Sequence, residues 1–177
     1  MSEEIFHGFS VIDESNIKGF KQGVWAMFGT EKENNPSNKI TCLNVGKNKD
    51  VGKELEIDFK RLKQKVAPNY LKEYRNQFGE LLFKYTVSGN RQDELYAHIN
   101  NKYEDIITIF ISDKNDYNIE KYVAYSLKSK YWVSNGKYRS SVDDKEIERI
   151  RQEINVQDID EKTIKAINDL KDWYEQQ

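Results

Sequence analysis

Cysteine is nearly absent: Cys42 stands alone among 177 residues, so the chain can form no internal disulfide and no cysteine-based zinc site. Histidine is almost as scarce, with only His7 and His98 to serve as other metal ligands, and a structural zinc is not expected. No run approaches the roughly 18 to 20 apolar residues of a membrane-spanning helix, which excludes a membrane partner of that kind. The first residues carry Glu3 and Glu4 where a secretory leader has positive charge, so the expectation is a soluble cytoplasmic protein. The short catalytic signatures are missing too. There is no GxxxxGK[ST] phosphate loop, no GxGxxG after a strand, no HExxH and no GxSxG elbow. What is present is 37% hydrophobic, 33% charged and 12% aromatic residues with a mean hydropathy of -0.87. That aromatic content suits a packed core of one domain with an appendage.

The net charge of -2 hides an asymmetry. Residues 143–177 hold 11 acidic and 6 basic side chains, a local -5 that leaves +3 for the first 142. Within those, residues 47–84 hold 10 basic and 6 acidic side chains, a local +4 able to follow a phosphate backbone.

Residues 24–28 (VWAMF) and 39–45 (KITCLNV) are apolar, rich in strand formers and bounded by Gly23, Gly29 and Gly46, which predicts a hairpin with an exposed loop over 30–38. Cys42 reads as a buried thiol inside that second strand. Val51, Leu55, Phe59, Leu62 and Val66 then fall on one helical face behind Asp50 as cap. Pro68 predicts a second helix through Tyr70, Leu71, Tyr74 and Phe78, stopped by Gly79. Further expectations are strands over 80–88 and 105–112 and helices over 91–103 and 119–132. The tail shows two helical patterns, one behind Asp143 and Glu146, the other behind Asp158 and Glu161. The predicted fold is therefore α+β: a small, mainly antiparallel central sheet with flanking helices over 1–142, and a C-terminal helical hairpin over 143–177 packed on it.

The order Gly23-Val24-Trp25, Asn44-Val45-Gly46, an amphipathic helix, and Glu120 opening a later helix resembles the GIY-YIG nuclease superfamily over roughly residues 23–135. The resemblance implies a metal-dependent phosphodiesterase in which a tyrosine helps deprotonate water, an arginine neutralises the phosphate and a glutamate holds a divalent cation. The family's tyrosine positions are Trp25 and Asn44, neither of which acts as a base near neutral pH. Glu54 stands at the arginine position, with Lys53 adjacent, and Trp132 at the asparagine position, with Asn135 three residues on. Only Glu120 keeps the family residue type.

Two readings follow. The first is a divergent endonuclease of a restriction or defence type, with Glu120 holding Mg²⁺ or Mn²⁺ and Lys53, Lys47, Asn44 and Trp25 in rebuilt catalytic roles, joined by Tyr122, Tyr125 or Tyr131. Lys47, Lys49, Lys53, Lys60 and Lys63 would contact nucleic acid, DNA rather than RNA. The second is a noncatalytic module that binds nucleic acid or a protein partner, needs no cofactor, and has its former site filled by Trp25 and Leu43.

Overall fold

A computed structural model describes residues 4–33, 36–63, 72–75, 81–85, 91–132 and 158–177. In chain order the strands and helices are β1 (Ile5–Phe6), β2 (Phe9–Ile12), β3 (Gly23–Glu31), β4 (Ile40–Asn48), α1 (Val51–Arg61), β5 (Lys72–Arg75), β6 (Leu81–Tyr85), α2 (Arg91–Lys102), β7 (Tyr103–Ser112), α3 (Tyr117–Ser126) and α4 (Glu161–Glu175), with a 3₁₀ turn at Ile17–Gly19. Five strands form one antiparallel sheet in the order β1-β2-β7-β3-β4, and β5 pairs with β6 apart from it. The expected α+β class and hairpin are present. Among the described residues no helix is long and apolar enough to cross a membrane.

Residues 23–29 of β3 are all buried. This is why they read as one apolar run: the strand lies between two sheet neighbours and both its faces are covered. On one face Val24, Ala26, Phe28, Cys42, Val45 and Ile109 pack against Ile119 and Val123 of α3 and Ile167 and Leu170 of α4. On the other Trp25, Met27 and Leu43 pack against Val51 and Leu55 of α1 and Leu95, Tyr96 and Ile99 of α2. Each such fully buried aliphatic side chain contributes about 1.5 to 3 kcal/mol relative to exposure.

Between β3 and β4 the register shifts, since Met27 pairs with Asn44 and Phe28 with Cys42. Leu43 is the extra residue of this bulge. The bulge turns both Leu43 and Asn44 toward α2: Leu43 joins the cluster there, and the Asn44 amide donates to the Tyr96 hydroxyl at 3.1 Å.

The outer edge of β4 is bonded by two distant segments. The N–H groups of Lys130 and Tyr131 donate to the carbonyls of Cys42 and Leu43 at 3.0 and 2.8 Å. The Cys42 N–H donates to the Tyr174 hydroxyl at 3.0 Å, and the Gln177 side chain accepts from the Ile40 N–H at 3.0 Å and donates to its carbonyl at 3.3 Å.

Several boundaries depart from expectation. Residues 72–75 form β5, paired with β6, where the helical spacing of Tyr70, Leu71, Tyr74 and Phe78 predicts a helix. Cross-strand pairing outweighs that local periodicity. Helix α3 stops at Ser126, short of Trp132, because Lys128 turns left-handed (φ 47°) and the Ser129 N–H bonds back to the Ala124 carbonyl at 2.8 Å. Asp160, rather than Asp158, caps α4 through the Thr163 N–H at 3.0 Å. The first tail helix, expected behind Asp143, lies outside the described residues.

Candidate functional site

Helix α1 begins where the sequence predicts, with the Asp50 carboxylate accepting from the Lys53 N–H at 3.0 Å. This cap fixes the first turn and with it Glu54, whose Oε2 accepts from the Trp25 indole N–H at 3.0 Å. Trp25 is 1% exposed and crosses the sheet over Gly46, its partner on β4. A Cβ on Gly46 would lie 2.5 Å from the Trp25 ring, so only glycine admits the indole there. The two positions that resemble the family's first tyrosine and its arginine are thus bonded to each other.

Glu120 lies in the first turn of α3 and accepts from the Trp132 indole N–H at 2.9 Å. Burial raises its pKa, partly offset by that hydrogen bond and by the Lys47 charge. Burial likewise pushes Glu54 up to about 7. The Trp25 bond opposes this shift, while the charges of Asp58 and Glu120 add to it. Glu54 and Glu120 therefore sense one another across the end of β4.

Beneath Glu54 runs a polar chain that the sequence does not announce. Asn44 donates to Tyr96, the Tyr96 hydroxyl donates to Asp58 at 3.0 Å, and Arg61 bridges Asp58 and Asp93 at 2.9 Å each. Asp58 is 4% exposed, and burial raises its pKa against the pull of Arg61 and Tyr96. Asn44 also accepts from the Val45 N–H at 3.0 Å, so both ends of its amide are engaged. Helical spacing from Glu54 to Asp58 and Arg61 was the one signal for this chain; Tyr96 carried none.

The predicted lysines divide into two groups. Lys53 lines a groove of about 210 Å³ with Asn48, Asp50, Glu54, Ile57 and Arg61. Lys47 lies beside Glu120, and Lys49 is exposed between β4 and α1. Lys60 and Lys63 instead line a separate groove with Glu14, Ile17, Lys18, Glu56 and Phe59. There Lys63 pairs with Glu14 at 2.7 Å and Lys60 with Glu56 at 3.7 Å. Of the tyrosines, Tyr122 bonds Asn168 of α4, and Tyr125 stacks edge-on against Trp132. Tyr131 packs against His98 and Tyr103.

As a donor set for Mg²⁺ or Mn²⁺ the corner is poorly matched. One oxygen of Glu120 is held by Trp132 and the cationic Lys47 sits beside it, while Glu54 is tied to Trp25. Among the described residues no three His, Cys, Asp or Glu side chains gather as a metal-ligating group. No family model, no curated protein and no solved structure matches the chain.

Proposed function

We propose that the chain is a GIY-YIG-like module that binds nucleic acid without cutting it by that superfamily's standard route. The observation that carries this reading is the Trp25–Glu54 bond. An indole that is 1% exposed, with its N–H spent on a carboxylate, neither makes a nucleophile nor neutralises a phosphate. Leu43, fully buried beside it, fills the rest of the corner. Binding is supported by Lys47, Lys49 and Lys53 around the start of α1, none of which forms an ion pair within the described structure.

Mobility shifts with duplex DNA, single-stranded DNA and structured RNA at low salt test the proposal. Three phosphate contacts predict that the binding constant falls with salt at a log–log slope of roughly -2 to -3, and Lys49→Gln should reduce that slope by about 1. The same samples with Mg²⁺ and Mn²⁺ should show no cleavage. Metal-dependent cutting that Glu120→Ala abolishes would refute the noncatalytic reading in favour of a divergent endonuclease. No shift with any nucleic acid would refute binding and leave a protein partner as the ligand.

A further inference from the structure

The groove beside Glu54 is unlike a phosphate site. Two carboxylate residues, Asp50 and Glu54, form part of its wall, and the one guanidinium there, Arg61, is committed to Asp58 and Asp93. Its other features are chemically specific. Ile57, 45% exposed, is one of only two large apolar side chains this open among the described residues, and it lies on the groove wall. Glu54 is fixed in place because its Oε2 is held by Trp25, which keeps the carboxylate at the wall at little entropic cost. Asp50 and Lys53 add opposite charges at the rim, and the Asn48 side chain is already engaged, accepting from the Asp50 N–H at 2.9 Å and donating to Glu54. The volume, about 210 Å³, falls below the roughly 300 to 1,000 Å³ of ordinary small-molecule pockets, so the groove suits one flat group and not a whole nucleotide.

We propose that this groove holds a single unpaired nucleobase bearing an exocyclic amino group, laid on Ile57 with its amino edge donating to Glu54, while Lys53 and Lys49 take the flanking phosphates. The inference rests on the nucleic-acid-binding reading and names its ligand. A carboxylate only accepts, so it matches the amino groups of cytosine, adenine and guanine. On thymine and uracil the single ring N–H lies between two carbonyl oxygens, which repel it. The same carboxylate repels phosphate, which places the backbone at the lysine rim and the base inside. Single-strand binders usually seat bases on aromatic side chains along a positive groove; here the platform is the aliphatic Ile57, with Lys53 and the exposed Lys49 as the positive flank.

Fluorescence anisotropy with oligo-dC, oligo-dA and oligo-dT of equal length, at one low salt concentration and at pH 8, where Glu54 is ionised, tests this. Oligo-dC and oligo-dA should bind about tenfold more tightly than oligo-dT, within the range of a specific base contact. Glu54→Gln, whose amide oxygen still accepts from Trp25, presents an N–H donor to the groove in place of a charge, so oligo-dT affinity should rise toward that of oligo-dC and the preference should disappear. Ile57→Ser, at an exposed position that folding tolerates, should weaken oligo-dC and oligo-dA several-fold. Equal binding of all three oligonucleotides, unaffected by Glu54→Gln, would overturn the groove assignment while leaving the binding reading intact. Absence of binding by every oligonucleotide would overturn both.

Discussion

Replacing Glu54 by glutamine should stabilise the protein above neutral pH and do about a quarter as much at pH 5. Burial raises the Glu54 carboxyl from an ordinary 4.5 to about 7, with Asp58 and Glu120 adding to the shift and Trp25 and Asn48 opposing it. Between those two values the folded chain keeps a proton that the unfolded chain has released. Stability therefore falls as pH rises through that window, and the full penalty is present above about 7. At 1.36 kcal/mol per unit the whole shift amounts to about 3 kcal/mol, and residual solvent contact reduces this to about 2. Glutamine carries no charge to desolvate and still offers Trp25 an acceptor. Urea denaturation of Glu54→Gln and the parent at pH 5 and pH 8 reads the difference. The expectation is about 0.5 kcal/mol at pH 5 and about 2 kcal/mol at pH 8, both in favour of the variant, the latter roughly 4 to 8 °C in Tm. Asp58 and Glu120, also raised by burial, are coupled to Glu54, and the loss of its charge eases their ionisation in the same direction. An equal difference at both pH values, or a variant less stable at pH 8, would refute the reasoning.

Gly46→Ala brings a methyl to 2.5 Å from the Trp25 ring, so it should lower stability by about 1 to 3 kcal/mol and shift tryptophan emission; an unchanged spectrum and Tm would count against the packing described. Tyr96→Phe removes the donor to buried Asp58 and the acceptor for Asn44, with an expected loss of about 1 to 3 kcal/mol in denaturant unfolding. Burial pushes the Cys42 thiol up to about 12, so a thiol reagent at pH 8 should leave the native protein unlabelled and modify it fully in urea; rapid labelling of native protein would contradict the buried position.

The hairpin, the Asp50 cap and the apolar face of α1 were legible because each rests on residues within a few positions of one another. The strand over 105–112 and the last helix were legible for the same reason, through an apolar run and a repeat of Ile164, Ile167 and Leu170. The pair β1 and β2 was not read as strands at all. Its turn is His7-Gly8, both with positive φ (48° and 85°), and histidine is a less familiar occupant of such a turn than asparagine or aspartate. The 72–75 strand was misread because its spacing fits a helix and only its partner over 81–85 reveals the alternative. In the site, Trp25, Glu54, Glu120 and Trp132 were each singled out from the sequence, but not the indole–carboxylate bonds that pair them. Those bonds join residues 29 and 12 positions apart, a separation that no local pattern encodes.

The bonding along the outer side of β4 has a consequence for how molecules of this protein meet. A sheet border with free N–H and C=O groups is a template on which another chain can add a strand. Here Ile40 and Cys42 are closed off by the side chains of Gln177 and Tyr174, and Cys42 and Leu43 by the backbone at Lys130 and Tyr131. The final turn of α4 and the second residue after it therefore act as a guard against self-association. Removing Tyr174 to Gln177 would leave the buried members of both hydrophobic clusters and the Lys130 and Tyr131 bonds in place, yet free the Ile40 groups and the Cys42 N–H to pair with another chain, so that the first symptom of damage would be loss of solubility rather than loss of fold.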